Sequence, residues 1–196
     1  MAYCTNSEVK AHIGNISGIG DDELIIDIIT YAQAFIDRYT HRTFAAGSDT
    51  SRTFDSVRDV AGLTLLFDED LAAITSVING DGTTVTSSEY VTEPRNAVDI
   101  PYYGLTLLRS AGINWLAQDD GDNENAITVT GKWAWSTTPP DDVKHACIEL
   151  SAYIYKSRDA GPDQDRAIVA EGIFVAPSAI PNRIKEILRP YIKSYL

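Results

Sequence analysis

Cysteine, positive charge and long apolar runs are all scarce in this chain. Its 196 residues include two cysteines, and 28 Asp or Glu outnumber 16 Lys or Arg, giving a formal net charge of −12. This acidic excess argues against a surface that grips DNA, because Lys and Arg are needed to neutralise phosphates. No apolar run approaches the roughly 20 residues of a membrane helix, and the first residues lack a secretory signal. We therefore expect folding in the cytoplasm and no membrane partner.

Motifs that carry catalysis or bind cofactors are absent as well. The sequence contains neither GxSxG nor HExxH, and its three histidines, His12, His41 and His145, lie far apart in sequence. Cys4 and Cys147 have no CxxC or Cys/His spacing, so they are interpreted as buried thiols rather than metal ligands or a disulfide. We predict no catalytic residue and no cofactor.

One acidic cluster is a weak candidate for a bound cation. Hard cations such as calcium prefer carboxylate and amide oxygens, but this segment lacks the full EF-hand ligand spacing. A solvated turn is the favoured interpretation of the cluster. Its candidate ligands are Asp119, Asp120, Asp122 and Glu124.

A strand followed by a helix is the most informative stretch. Apolar residues alternate from Ile127 to Trp135, as in a half-buried strand. The hydroxyls of Ser136 to Thr138 are candidate helix caps, and Pro139 and Pro140 suit a first helical turn. An apolar stripe at helical spacing then extends from Val143 to Ile154 and predicts a helix with one buried face.

Further patterns predict an α+β fold. Thr5 and Glu8 have the spacing of a capping box before a helix that ends at Gly14, and a longer helix follows from Asp21 or Asp22 to about Tyr39. Its expected partner is the helix that begins near Asp141. Short strands are predicted between these helices, with the clearest hairpin turn at Asn79-Gly-Asp-Gly82. The predicted strands are 52–55, 63–67, 74–78, 83–85, 104–108 and 127–135.

The predicted organisation is an antiparallel helical scaffold with an inserted small β-rich module and a C-terminal amphipathic helix. A long segment rich in Gly, Pro, Asp and Ala precedes that helix, and Pro190 is expected to bend or end it. The divisions are N-terminal scaffold helices at 1–49, the β-rich module at 50–136, a scaffold helix at 137–159, a long loop at 160–179, and the C-terminal helix with its tail at 180–196.

Four separated segments together resemble a known family. They are 3–10, 36–44, 129–159, which holds Lys132-Trp-Ala-Trp-Ser-Thr-Thr-Pro-Pro-Asp-Asp142, and 180–191. In this order they are similar to the head-tail connector (adaptor) proteins of tailed bacteriophages, the gp6-like family. Each match rests on packing and capping residues rather than on chemistry, and the region from Asp59 to Glu124 adds little.

The resemblance implies a structural role in the neck of a virion that is assembled in the bacterial host cytoplasm. The family forms a ring, dodecameric in the virion, that lies under the portal protein, extends the channel for double-stranded DNA and docks the next neck, stopper or tail protein. An acidic wall would keep DNA from adhering during passage. The residues we assign to portal contact are Ile184, Ile187, Leu188, Tyr191 and Tyr195.

Two other classes of function stay open at this point. Trp115, Trp133 and Trp135, with Tyr102 and Tyr103, could form the aromatic surface of a monomeric carbohydrate- or ligand-binding module. A hydrolase with an unusual site is the third alternative, and it would need a pocket with convergent titratable groups.

Overall fold

Four α-helices and eight strands are present in the computed structural model, which describes residues 2–14, 18–96, 98, 100–157, 168–170, 173–175 and 180–193. The helices are α1 (Asn6–Ile13), α2 (Asp22–Thr40), α3 (Asp141–Ser157) and α4 (Asn182–Leu188). The strands are β1 (Thr50–Phe54), β2 (Val60–Ala61), β3 (Thr64–Ile78), β4 (Tyr90–Glu93), β5 (Tyr102–Leu107), β6 (Ile127–Trp133), β7 (Ile168–Ala170) and β8 (Ile173–Val175). The fold class is therefore α+β, as predicted.

Contacts within the chain group these elements into two units. The helical unit comprises Met1–Arg42 and Pro139–Leu196, and the β unit comprises Thr43–Thr138. No helix among the described residues is both long and apolar enough to cross a lipid bilayer.

The capping box before α1 is formed as the sequence predicts. The backbone N–H of Glu8 donates to the Thr5 hydroxyl at 3.3 Å, and the Glu8 carboxylate accepts from the Thr5 N–H at 2.8 Å. These two bonds satisfy donors that the first helical turn leaves without partners. α1 packs on α3 and α2, and it buries Val9 completely.

α2 buries one face along its length and packs on α3, its expected partner. Ile25, Ile28, Ala32 and Ile36 are fully or almost fully buried, as the apolar stripe indicates. Asp21 precedes the helix without forming a side-chain cap, and its carboxylate instead accepts a hydrogen bond from Tyr155 at 2.5 Å. This bond joins the start of α2 to the last turns of α3.

The start of α3 corrects two sequence-based expectations. The prolines lie before the helix rather than inside its first turn, and the Pro140 carbonyl accepts the first helical bond from the Lys144 N–H at 2.8 Å. The hydroxyl of Ser136 caps nothing, because it donates to the carbonyls of Phe44 and Thr138. The acidic residues Asp141 and Asp142 do occupy the first turn, where the helix dipole favours them.

The β unit is built on one antiparallel sheet in the order β1-β6-β3-β5-β4, with β2 paired to β3. Its core contains Phe54, Leu65, Leu105, Ile127 and Val129. β6 lies unusually close to its neighbour β3 at Gly131, where a Cβ atom would lie 2.2 Å from the Ala73 carbonyl oxygen. Only glycine fits there. The predicted strand ran on to Trp135, but β6 ends at Trp133.

Sequence reasoning divided β3 incorrectly. The two strands predicted at 63–67 and 74–78 are parts of one strand of 15 residues. Register shifts between Leu66 and Leu71, and again near Ala73, interrupt the alternation of buried and exposed residues, so the pattern resembles two short strands. The turn at Asn79 is confirmed by a 2.8 Å bond from its N–H to the Thr83 carbonyl.

Four other elements differ from prediction. β2 has two residues and β4 is half-buried throughout, so neither shows an alternating pattern. The strand predicted at 83–85 is reduced to a single bridge between Ile78 and Thr84. Strands β7 and β8 pair within the segment 160–179, which is predicted as a loop. The other residues of that segment lie outside the described residues.

Candidate partner-binding surface

The helix α4 carries most of the residues assigned to partner contact. It follows Pro181 and ends at Leu188, and a 3₁₀ turn over Arg189–Tyr191 contains Pro190. The ring of Pro190 removes a backbone donor, which explains why the α-helix stops before it. The expected end of the helix at this proline is confirmed.

Two of the five assigned residues lie inside the helical unit. Ile184 is 2% exposed and Leu188 is 0% exposed, and α4 packs on α3 and α2. At Ile184 and Leu188, the apolar face of α4 therefore packs against helices of its own chain. Direct partner contact by Ile184 and Leu188 would require α4 to leave this position. Their assignment to portal contact stays a prediction.

The other three assigned residues differ in position. Ile187 and Tyr191 are half-buried, so part of each side chain is accessible. Tyr195 lies outside the described residues, as does the rest of the final tail from 194 to 196. Of the four assigned residues that the structure describes, Ile187 and Tyr191 are thus the two with accessible side chains.

Hydrogen bonds fix the segment that follows α4. The Tyr191 hydroxyl lies 2.7 and 2.8 Å from the two carboxylate oxygens of Asp142, in the first turn of α3. The Tyr191 carbonyl accepts from the Arg42 side chain at 2.8 Å, and the Lys193 N–H donates to the Thr40 carbonyl at 2.8 Å. Partial burial, followed by the bond to Asp142, raises the pKa of Tyr191, so the phenol stays protonated.

Exposed basic side chains lie on α4 and on the 3₁₀ turn after it, where Glu186 pairs with Arg189 at 3.7 Å. The side chains of Arg183 and Arg189 are each 74% exposed. Arg183 pairs with Glu149 at 3.0 Å, and His145 approaches the same Glu149 oxygen at 3.0 Å. Although Glu149 is 15% exposed, the Arg183 guanidinium is open to solvent, which weakens the pair and leaves that guanidinium able to exchange partners.

A groove lies beside these basic side chains, with a volume of about 270 Å³. It is lined by residues of α1, α3 and α4, among them His12, Tyr153, Lys156 and Arg183. Although His12 and His145 are distant in sequence, their rings are 6.0 Å apart and meet edge to face. The fold therefore brings together two histidines that the sequence separates.

The acidic segment in the β unit forms a turn with hydrogen bonds between its own residues. Asp120 accepts from the Asp122 N–H at 3.1 Å, and the Gln118 side chain donates to the Glu124 carbonyl at 2.8 Å. Asp119, Asp120, Asp122 and Glu124 form no cluster that could hold a metal ion, and neither does any other group of His, Cys, Asp and Glu in the part of the chain that the structure describes.

The tryptophans are used for packing within the β unit. Trp115 is 8% exposed and donates its indole N–H to the Leu63 carbonyl at 2.9 Å. Trp133 contacts the rings of Phe54 and Phe67, and Arg52 lies over its face at 4.8 Å. Because one ring is buried and another is covered by a guanidinium group, this arrangement does not favour a carbohydrate platform.

A second groove in the β unit, of about 490 Å³, is lined by β3, β4 and their neighbours. Its titratable groups are Tyr90, Tyr102 and Arg95. Burial, followed by the neighbouring Tyr102, raises the pKa of Tyr90, which keeps that phenol protonated. The lining also holds the hydroxyl of Ser87, but it contains no His, Asp, Glu, Lys or Cys that could activate that hydroxyl as a nucleophile.

Comparisons with known proteins place the fold. No family model and no curated protein matches the chain. Among solved structures, it is similar to a chain in the neck of an empty GTA particle computed with C6 symmetry, at TM-score 0.57 and 14% identity, covering 97% of this chain and 90% of that one. It is also similar to a chain in the virion of a native gene transfer agent (GTA) particle, at TM-score 0.55 and 16% identity, with the same coverage. This chain therefore shares its fold, over almost its whole length, with chains of these particles.

Proposed function

We propose that this protein is a head-tail connector of a phage or phage-like particle. In this role it forms a ring under the portal protein, extends the DNA channel and docks the next neck or tail component. The observation that carries the proposal is the likeness over 97% of the chain to a chain of a particle neck. The four segments that resemble phage adaptors support the same role independently of the fold.

The proposed ring contains twelve copies, which is compatible with the sixfold symmetry of the neck to which this chain is similar. Neighbouring copies in a ring meet through two different surfaces, and the rotation between them closes the assembly. Subunits of this kind can be monomeric in solution and assemble only on the portal. The protein then acts by assembly, without a catalytic step.

The net charge of −12 suits passage of DNA through such a ring. An acidic channel surface repels the phosphates of DNA. It also lacks the Lys and Arg residues that bind phosphates and release counterions, so DNA passes without adhering. The basic residues near the C-terminal helix belong, in this proposal, to the protein contact rather than to the channel.

The portal contact in this proposal uses the accessible face of α4 and of the 3₁₀ turn that follows it. Ile187 and Tyr191 supply the apolar part, together with Tyr195, and Arg183 and Arg189 supply charge. Ile184 and Leu188 contribute indirectly, because their burial holds α4 in place. Deletion of 180–196 is therefore a poor test, since removing two buried aliphatic side chains would also destabilise the helical unit.

The test is co-assembly with the portal ring of the same particle, followed by sedimentation or electron microscopy. We expect Ile187→Asp, and separately the double substitution Arg183→Glu with Arg189→Glu, to weaken co-assembly at least about tenfold, as expected for central contacts in an interface. Arg58→Glu, paired with Arg109→Glu, makes the same charge change at two exposed sites in the β unit and serves as the control. Each variant must retain the circular dichroism spectrum of the unmodified chain.

Co-assembly that survives both α4 variants would move the contact to another surface and leave the adaptor role intact. A chain that never joins the portal, and whose loss leaves particles with normally joined necks, would overturn the proposed function itself.

A further inference from the structure

Two thiols meet inside the helical unit. Cys4 lies in the segment before α1, and Cys147 lies in the second turn of α3. Their Sγ atoms are 3.5 Å apart, and the residues are 3% and 0% exposed. Both are free thiols, and the chain has no third cysteine. The sequence gives no sign of this pair, because 142 residues separate its members.

The surroundings of the pair suit a covalent bond. A disulfide requires an S–S distance near 2.05 Å, so the two sulfurs must approach by about 1.5 Å. Cys147 lies in the middle of the buried face of α3, and Cys4 lies outside any helix, in the segment that precedes α1. Tyr3 and the Thr5 capping box hold that segment on either side of Cys4. These contacts hold the Cys4 thiol next to Cys147 in the folded chain.

The pair also has a defined first nucleophile. The hydrogen bond with Cys147 lowers the pKa of Cys4, whereas the hydrogen bond with Cys4, together with burial, raises the pKa of Cys147. Burial and the Glu8 carboxylate, which pairs with Lys144 at 2.5 Å, act on Cys4 in the opposite direction. Accessibility decides the order of reaction: Cys4 is 3% exposed and Cys147 is 0% exposed, so an oxidant reaches the pair at Cys4.

We propose that Cys4 and Cys147 form an intramolecular disulfide when the folded chain meets a small disulfide oxidant. The Cys4 thiolate attacks one sulfur of glutathione disulfide, forms a mixed disulfide and releases one glutathione thiolate. Cys147 then loses its proton to solvent, and its sulfur attacks the Sγ of Cys4 and releases the second glutathione. The two thiols lose two electrons and two protons in total, and glutathione disulfide is reduced to two glutathiones.

The bond staples the segment before α1 to α3. It closes a loop of more than 100 residues, and the entropy lost by the unfolded chain grows with loop length. By the same thermodynamic cycle, folding favours the disulfide, because the native state holds the sulfurs together and the unfolded state does not. If the proposed function is correct, a particle made in a reducing cytoplasm would acquire this staple after release into an oxidising medium.

The experiment uses the reduced full-length chain equilibrated in glutathione buffers of increasing oxidising strength. Free thiols are then alkylated and the intact mass is measured. We expect a product that lacks two hydrogens and takes up no alkylating label. The same titration in urea should need an oxidant ratio higher by on the order of tenfold or more, because the unfolded chain lacks the preformed pair. The oxidised chain should melt on the order of 5–10 °C higher than the reduced chain.

Cys4→Ser and Cys147→Ser each retain one thiol and serve as matched controls. Both should show only glutathione adducts or dimers, and neither should gain thermal stability in oxidising buffer. Cys4→Ala provides a second variant if the serine at that buried site disturbs folding. A stable glutathione adduct on the folded chain, or oxidation that is harder in the native state than in urea, would overturn the proposal. The assay needs neither portal nor ring, so its failure would leave the adaptor function untouched.

Discussion

The hydroxyl of Tyr3 donates a hydrogen bond to the Oδ1 atom of Asp37, joining the segment before α1 to the C-terminal half of α2. Tyr3 is 2% exposed and Asp37 is half-buried. Desolvation raises the pKa of Asp37, and the bond from Tyr3 offsets only part of this effect. The helical unit thus contains a carboxyl group whose ionised form is disfavoured by folding.

This pair predicts a particular dependence of stability on pH. A carboxyl with a raised folded-state pKa binds more protons in the native than in the unfolded chain, so its contribution to stability falls as pH rises from the ordinary pKa of 3.8 through the raised value. We expect Asp37→Asn to be more stable than the unmodified chain at neutral pH, since the buried charge is gone. The gain should shrink as pH falls toward the ordinary pKa of Asp.

The measurement is urea unfolding of both proteins from about pH 3 to 8, with the difference in unfolding free energy plotted against pH. Tyr3→Phe is a useful companion, because loss of its bond should extend the pH-dependent range upward. A difference that does not vary with pH would show that Asp37 is not disfavoured by burial.

Burial of Leu188 predicts that part of α4 is core. Leu188→Ala removes a side chain that is 0% exposed and should lower the free energy of unfolding by about 2–5 kcal/mol. Ile187→Ala, one position earlier and half-buried, is the matched control and should cost clearly less. Urea denaturation followed by far-ultraviolet circular dichroism measures both. Equal costs would mean that α4 is not anchored through Leu188.

The close approach of the paired strands β6 and β3 predicts that Gly131 does not tolerate substitution by a residue with a Cβ atom. Because a Cβ atom there would lie 2.2 Å from the Ala73 carbonyl oxygen, Gly131→Ala must push the two strands apart, at a cost of about 3 kcal/mol or more. Gly47→Ala is the control, since no atom lies within 4 Å of the place a Cβ would occupy and its φ is not positive. Thermal melts compare the two. A Gly131→Ala chain as stable as the control would contradict the strand geometry described above.

Local patterns predicted the elements whose signal is local. The stripe of Ile25, Ile28 and Ile36 marks α2 because each residue faces the same side of a helix at 3.6 residues per turn. The capping box marks α1 for the same reason, since Thr5 and Glu8 interact across three positions. Both signals are contained within one element and need no knowledge of the rest of the chain.

Features that depend on distant residues could not be predicted in this way. An apolar stripe indicates that Ile184 and Leu188 are buried, but it does not say whether their own chain or a partner covers them. β3 was divided because its bulges depend on pairing with β5 and β6. The contact between Cys4 and Cys147, and that between His12 and His145, arise only when α1 packs on α3.

The helical unit is assembled from two stretches of sequence that flank the β unit. A ribosome therefore emits α1 and α2 about 100 residues ahead of α3, which at 5–20 residues per second is a delay of roughly 5–20 s. During that interval the isoleucines of α2 have no permanent cover, while the β unit emerges as one continuous stretch and can fold first. Nascent chains stalled before residue 141 should for this reason depend on chaperones far more than chains stalled beyond 193.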